Sequence, residues 1–410
     1  MQLESIPAGG NLERIRGIWE SLEAGADTTY FLSWGWTKNW LASLPYQAQP
    51  ELFVFWEGKD PLLAFFIGKA TLIRTMGDFH GPRHLFRTRA WFLNATGDPV
   101  FDRIHMDYNR FLYRQDTPLQ LIDILNQLPD SWEELYLPCL DMRSLPGTAA
   151  LNNVPPYKTI IKDDRVVLSP FVDLARVRAQ GGDYLALLSA NTRAQINRSY
   201  RFCEKIAPVE LEVAQDSRCA MDIYHELVDL HSETWRKRSQ EGAFSSGYLF
   251  KFHQQLIKSR FAHNEIQLIR IKCAHNTVGC LYNFVYKNNV YFYQSGINYN
   301  LDKRLKPGLI AHVEAIKHNT HAGHKTYDFL SGNSRYKMSL ATHQNRLIWV
   351  RLQKPLLKFR IENALKAFKY LLMGRVEKQS ILSHYFSTDR EKSVHTSTRG
   401  LLPEHPLPLH

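Results

Sequence analysis

Long apolar runs are what this 410-residue chain lacks. No stretch approaches the ~18 uncharged apolar residues of a membrane-crossing helix, and the longest, Pro61 to Ile67, has the length of a strand. The opening Met1-Gln2-Leu3-Glu4-Ser5 carries an early acid and no apolar core, so it does not read as a secretory signal, and a cytoplasmic protein is expected. Cysteine is scarce. Cys139, Cys203, Cys219, Cys273 and Cys280 are scattered, with no C-x-x-C, and read as buried reduced thiols. The dinucleotide, P-loop and nucleophile-elbow motifs (GxGxxG, GxxxxGK[ST], GxSxG) are all absent. His225-Glu226-Leu227-Val228-Asp229 has Asp where a zincin helix needs its second His. His318, His321 and His324 have no Cys or carboxylate at ligand spacing, so no metal site is expected.

The composition that remains, 44% hydrophobic and 22% charged, is that of a folded globular protein and excludes a wholly disordered or collagen-like chain. The length suggests two to three domains. Fifty-one basic residues against 40 acidic leave a net charge of +11, which favours anionic partners: phosphates, nucleotides, nucleic acid or an acidic membrane surface. In the first half, Leu12 to Leu22 reads as a helix, and Trp36, Trp40 and Leu44 share a face of a second. Leu52 to Trp56 and Leu62 to Ala70 read as a hairpin around Glu57-Gly58-Lys59-Asp60, Gly77 to Arg87 as a loop, Leu119 to Leu128 as a helix and Glu134 to Leu137 as a strand. Residues 144–158, with Pro146, Gly147, Pro155 and Pro156, are the linker candidate.

The second half reads as helix (Ser189 to Lys205), strand (Val209 to Val213), two helices (Ala220 to Arg238, Leu249 to Ile257) and a three-strand meander (Ile266 to Cys273, Val278 to Tyr286, Val290 to Ser295). Pro307-Gly308 then opens a helix, and strands follow at Thr326 to Leu330 and Leu347 to Leu352. No internal repeat is visible. Leu356 to Arg375 spaces Leu357, Ile361, Leu365, Phe368 and Leu372 by three and four among five basic residues, a basic amphipathic helix suited either to an acidic membrane or to packing on the domain. The tail from about residue 380 is Ser/Thr/His/Pro-rich and reads as disordered.

The informative pattern is the meander running through Tyr293-Gln294-Ser295-Gly296 into a loop and the helix at Gly308. A helix N-terminus offers free N–H groups and a positive dipole end to a phosphate, with Lys303, Arg304 and Lys306 just before it. The same residues also fit an ordinary strand–loop–helix with solvated lysines. His231 and Trp235 share a helix face, so His231 is either a general base or a core histidine. Arg193 begins a basic helix that suits an anionic substrate or is simply solvated.

Several runs together resemble a GNAT-type acyltransferase domain of the FemAB/CelD-like (cellulose-biosynthesis-type acetyltransferase) branch. They are Leu188-Ser189-Ala190-Asn191-Thr192-Arg193, Leu230-His231 with Trp235, Tyr293-Gln294-Ser295-Gly296, Lys306-Pro307-Gly308-Leu309 with His312, and Tyr327-Asp328-Phe329-Leu330-Ser331-Gly332 with Arg335-Tyr336-Lys337. Phe31 with Ser33 and Trp36, and Thr96-Gly97-Asp98-Pro99 with Asp107-Tyr108-Asn109, extend the resemblance into the first half. It implies an α/β (α+β) architecture of two tandem GNAT-like domains, each a mixed sheet flanked by helices. The expected divisions are residues 1–155, 156–355, a basic helix over 356–379 and a flexible tail over 380–410. It implies an N- or O-acyltransferase moving an acyl group from acetyl-CoA or a longer acyl-CoA to an amine or hydroxyl, such as a cell-envelope or polysaccharide precursor; the basic helix would allow this cytoplasmic protein a peripheral contact with the inner membrane. Asp328, His231, His312 and Tyr293 are then the catalytic candidates. Trp235, Lys337, Tyr336, Arg193, Asp107 and Asn109 would contact substrate, and Ser295, Gly296, Lys306 and Gly308 would hold the donor. The usual Gln/Arg-x-x-Gly-x-Gly/Ala phosphate loop is replaced by Lys306-Pro307-Gly308. Two alternatives stay open: a FemAB-type peptidyl transferase using aminoacyl-tRNA, and a non-catalytic membrane-associated binding protein that keeps the fold.

Overall fold

A computed structural model describes residues 1–372 apart from 79–80, 105, 116, 118, 142–155, 162–165 and 303. Most of the 144–158 linker candidate, Lys303 and the tail from residue 380 lie outside the described residues. The first half contains β1 (Gln2–Pro7), α1 (Leu12–Gly25), α2 (Trp34–Ser43), β2 (Glu51–Glu57), β3 (Asp60–Asp78), β4 (Gly81–Leu93), β5 (Leu112–Tyr113), α3 (Leu121–Gln127) and β6 (Glu134–Asp141). Next come β7 (Lys158–Ile161), β8 (Val167–Asp173), α4 (Leu174–Ala179), α5 (Ala190–Glu204), β9 (Val209–Val213), α6 (Ser217–Lys237) and α7 (Gly247–Arg260). The remainder is β10 (Ile266–Cys273), β11 (Asn276–Tyr286), β12 (Asn289–Ile297), α8 (Pro307–His321), β13 (Thr326–Asp328), α9 (Arg335–Leu340), β14 (His343–Gln353) and α10 (Leu357–Leu372).

Local chemistry sets many of these limits. The Ser33, Ser189 and Asp216 side chains accept from Trp36, Thr192 and Cys219 N–H and cap α2, α5 and α6. Lys287 and Asn288, both at positive φ, close the β11–β12 hairpin where Tyr286 pairs with Asn289, the two-residue turn that matches strand twist. Gly77 to Arg87, read above as a loop, instead belongs largely to a long hairpin. Its ladder runs from Ile67 opposite Leu93 to Asp78 opposite Gly81, held by backbone bonds that do not depend on side-chain type.

The strands join one mixed sheet in the order β1-β2-β3-β4-β6-β14-β8-β13-β12-β11-β10-β9. The sequence shows no repeat, yet one order occurs twice: strand, two helices, antiparallel meander, helix, and a strand parallel to the last arm. It runs once over Gln2–Asp141 and again over Val209–Asp328. Two GNAT-like halves thus lie side by side, and β14 bridges them by pairing with β6 on one edge and β8 on the other. An apolar cluster crosses the junction on one face of the sheet. There Tyr30 stacks on Phe284 at 4.4 Å, while Phe31 and Trp36 meet the same ring edge-on. Such aromatic pairs contribute about 0.5–1.5 kcal/mol each beyond area burial. Separate clusters fill the opposite face of each half. Among the described residues no helix is long and apolar enough to cross a membrane.

Candidate active site

In the second half, β12 and β13 pair only from Asn289 opposite Thr326 to Tyr291 opposite Asp328. Beyond Tyr291, the edge of β12 that faces β13 has no strand partner among the described residues. A bulge makes Tyr293 the extra residue against β11, because Phe292 pairs with Asn283 and Gln294 with Tyr282. In the first half the corresponding space is occupied. Leu112–Tyr113 pairs with Leu63–Ala64 of β3, and Asn109 bridges Leu140 of β6. The chain that fills this space also sends Asp107 and Tyr108 across to the second half.

Asp328 ends β13 and is buried. Its Oδ2 accepts from the Tyr108 hydroxyl at 2.5 Å, and its Oδ1 accepts from Ser169 Oγ at 3.0 Å and Leu330 N–H at 2.7 Å. Asn345 Nδ2 donates to the Tyr108 oxygen at 3.0 Å. Burial pushes the Asp328 carboxyl from 3.8 up to about 7, against the pull of these hydrogen bonds. Asp107 accepts from the Ser331 N–H and hydroxyl at 2.7 and 2.8 Å and from Cys139 Sγ at 3.0 Å. Lys337, half-buried in the first turn of α9, donates to Ser331 O at 2.8 Å. Burial lowers its ammonium to about 8, opposed by the charges of Asp107 and Asp328. Gly332 holds φ +138°, a conformation that L side chains rarely adopt, and a Cβ there would stand 3.1 Å from Lys337 Nζ and displace the ammonium slightly. Tyr108, Cys139 and Leu330 all hold left-handed φ near +50 to +58°, a concentration of backbone strain at one point.

The structure divides the sequence-predicted residues into two groups. Asp328, Asp107, Lys337, Tyr293, His312 and Tyr336 gather around the end of β13. Tyr293 bonds His253 Nε2 at 3.0 Å, and burial raises its phenol. His312 Nδ1 lies 3.2 Å from the Tyr327 hydroxyl, with its ring stacked on Tyr336 at 5.4 Å, and burial holds it neutral, its pKa about 3. Asn109 stays within the first half, bonding Asn94 and Leu93 O. The second group lies further along β12, with Ser295 and Gly296 four and five residues beyond Tyr291, about 13–17 Å along the strand. There Gly296 packs against α6 so closely that a Cβ would meet Leu227 O at 2.3 Å, which gives this glycine a packing reason. His231 contacts Trp235 and Phe244; burial lowers it to about 4, and its Nδ1 has no hydrogen-bond partner among the described residues. Ser295 accompanies Gly296 on β12, and Gly308 opens α8 above Ile297. The exposed Lys306 precedes it, its backbone N–H donating to Ser199 Oγ at 3.1 Å. A pocket of about 250 Å³ between Thr234, Lys237, Arg238, Ile297 and Tyr299 opens at this end. Arg193 belongs to neither group; its guanidinium bonds Ala186 O and Leu188 O and fixes the turn before its own helix.

Sequence reasoning chose Asp107 and Asn109 and passed over Tyr108 between them, the residue that touches Asp328. It missed Ser169, Asn345 and His253 altogether, because nothing local marks them.

Residues 190–338 match the family model of the acetyltransferase (GNAT) domain. The chain is similar to the crystal structure of FemX at 8% identity and a TM-score of 0.52, over 92% of this chain and all of that one. That likeness shows a common fold. The chain is also similar, at lower TM-scores of 0.46 and 0.44, to L-PGS from Bacillus licheniformis and to a tandem GNAT protein from the clavulanic acid biosynthesis pathway. Identities there are 12% and 11%, with 83% and 87% of this chain and 92% and 99% of those chains covered. No curated protein matches the sequence.

Proposed function

We propose that the chain is an acyltransferase that moves an acyl group from acetyl-CoA or a longer acyl-CoA to an amine or hydroxyl, with Asp328 as the general base. The observation that carries this reading is the Asp328 carboxyl, raised to about 7 at the point where β12 and β13 part. A base poised near neutrality is matched to removing an acceptor proton. In the step, the acceptor nitrogen or oxygen bonds to the thioester carbonyl carbon and the C–S bond breaks. The electron pair leaves with the thiolate, and Asp328 takes the acceptor's proton. The unpartnered edge of β12 suits an extended thioester arm, whose carbonyl a strand N–H would polarise. The Tyr293 hydroxyl, beside that edge, is the assigned donor to the departing sulfur. Gly308, Lys306 and the pocket between Thr234 and Tyr299 would take the nucleotide end. His231 and His312, held neutral by burial, support these surfaces rather than carry the proton.

Localisation at an anionic membrane face belongs to the same reading. In α10, Leu357, Ile361 and Leu365 are 71%, 51% and 39% exposed, while Phe359 is buried and Lys358 bonds Glu133. The apolar stripe therefore faces outward beside basic residues.

Thermal melting with acetyl-CoA and a longer acyl-CoA tests the donor. A ligand that binds only the folded state adds about 2.7 kcal/mol at a hundredfold excess over its dissociation constant. No shift with any acyl-CoA, together with binding of charged tRNA that weakens steeply with salt, would turn the reading to the aminoacyl-tRNA donor. Unimpaired transfer by both Asp328→Asn and Lys337→Met would overturn the site.

A further inference from the structure

A cavity of about 330 Å³ lies where the two halves meet, and Asp328 and Tyr108 form part of its wall. The first half contributes Asp27, Thr28, Thr29, Arg110 and Asp141 to the lining. A second cavity of about 180 Å³ adjoins it and shares Asp27, Thr28 and Arg110. The lining is unusual in two respects. Three carboxyl groups and one guanidinium face a single small space, so it carries both signs of charge with an excess of negative. Thr28, Thr29 and Arg110 are also each at least nine-tenths buried, yet Thr28 Oγ1, Thr29 Oγ1 and Arg110 Nε have no hydrogen-bond partner among the described residues. Buried polar atoms are nearly always paired, and leaving one unmade costs about 1–3 kcal/mol. Three such atoms around one cavity indicate groups that await a ligand.

We propose that this cavity is the acceptor pocket and takes a small zwitterion, the ammonium and carboxylate of an amino-acid head. The ammonium lies toward Asp27 and Asp328, and the carboxylate toward Arg110. The guanidinium fork suits a planar carboxylate, and the Thr hydroxyls supply the remaining bonds. This assignment rests on the acyl-transfer reading, since it brings the acceptor nitrogen to the carboxyl that would deprotonate it.

Isothermal titration of the full-length protein with glycine, L-alanine and L-lysine, against ethylamine and acetate, tests it. At least one amino acid is expected to bind about tenfold or more tightly than either singly charged control. Asp27 stands exposed at the rim, so Asp27→Asn should fold normally and weaken amino acid and ethylamine alike. Arg110→Met should erase the preference for the amino acid over ethylamine. Acetyl-CoA titrated in parallel separates the two readings: if acetyl-CoA binds and none of the three amino acids does, the acceptor assignment falls and the donor reading stands. Amino-acid binding without acetyl-CoA binding supports the pocket and removes the donor. An amino-acid affinity unchanged in Asp27→Asn, or unchanged in an Arg110→Met that melts like the wild type, overturns the proposal.

Discussion

Replacing Asp328 by Asn separates what the buried carboxyl costs the fold from what it does for transfer. Its folded value of about 7 stands against 3.8 in the unfolded chain, so the folded state holds this proton more tightly. The resulting stabilisation is complete below the unfolded value and is lost as pH rises through about 7. At about 1.4 kcal/mol per tenfold change in proton affinity, the whole loss is ~4 kcal/mol, of which ~3 falls between pH 5 and pH 8. Asparagine keeps an oxygen for the Ser169 hydroxyl and Leu330 N–H and cannot ionise. Relative to wild type, Asp328→Asn should therefore gain about 3 kcal/mol of stability on going from pH 5 to pH 8. Urea unfolding at the two pH values, followed by the fluorescence of the nine tryptophans, reads this directly. Acyl transfer should fall by about 10²–10⁴ in the same variant, and the wild-type rate should climb with pH through about 7 and then level off. Stability differences equal at pH 5 and pH 8 would show that the carboxyl ionises freely in the folded protein, and the general-base argument would fall with it.

Three further outcomes are expected. Phe284→Ala removes the ring on which Tyr30 stacks and should cost about 3–5 kcal/mol while unfolding stays a single transition, since the cluster belongs to both halves; calorimetry showing two separated transitions would contradict that coupling. Gly296→Ala forces α6 away from β12 and should cost about 1–3 kcal/mol, with acyl-CoA affinity falling more than acceptor affinity in titrations of the folded variant. Leu357→Asp with Ile361→Asp should change stability by no more than about 0.5 kcal/mol per site yet abolish sedimentation with vesicles rich in anionic lipid, leaving neutral vesicles unbound as before.

The parts of the fold that were legible in the sequence are those whose cause is local. Val209–Val213 and Ile266–Cys273 show their limits in the sequence, because runs rich in Val, Ile and Leu stop at turn-forming residues. The helix capped by Ser189 shows its start for a similar reason, whereas the helix capped by Asp216 begins at Ser217, ahead of the Ala220 that the apolar spacing suggests. What escaped has causes elsewhere in the chain. Only Ile6 of β1 is buried, so that edge strand has little pattern to read. In β8, Pro170 argues against a strand, although its carbonyl accepts from Phe329 N–H at 2.9 Å in the middle of the sheet. β14 reads locally as a six-residue strand, and its role as the bridge follows only from its neighbours. The site follows the same division. Asp328 stands out because it ends a strand before a Gly break, but the groups that set its proton affinity come from three distant segments: Tyr108, Ser169 and, through Tyr108, Asn345. Each is unremarkable where it lies in the chain. They meet only because the first half fills its own gap with residues 109–113 and carries Asp107 and Tyr108 into the second. On that account the first half does more than duplicate the second: by closing its own cleft it supplies the hydrogen bonds and the cavity wall that the open cleft of the other half uses.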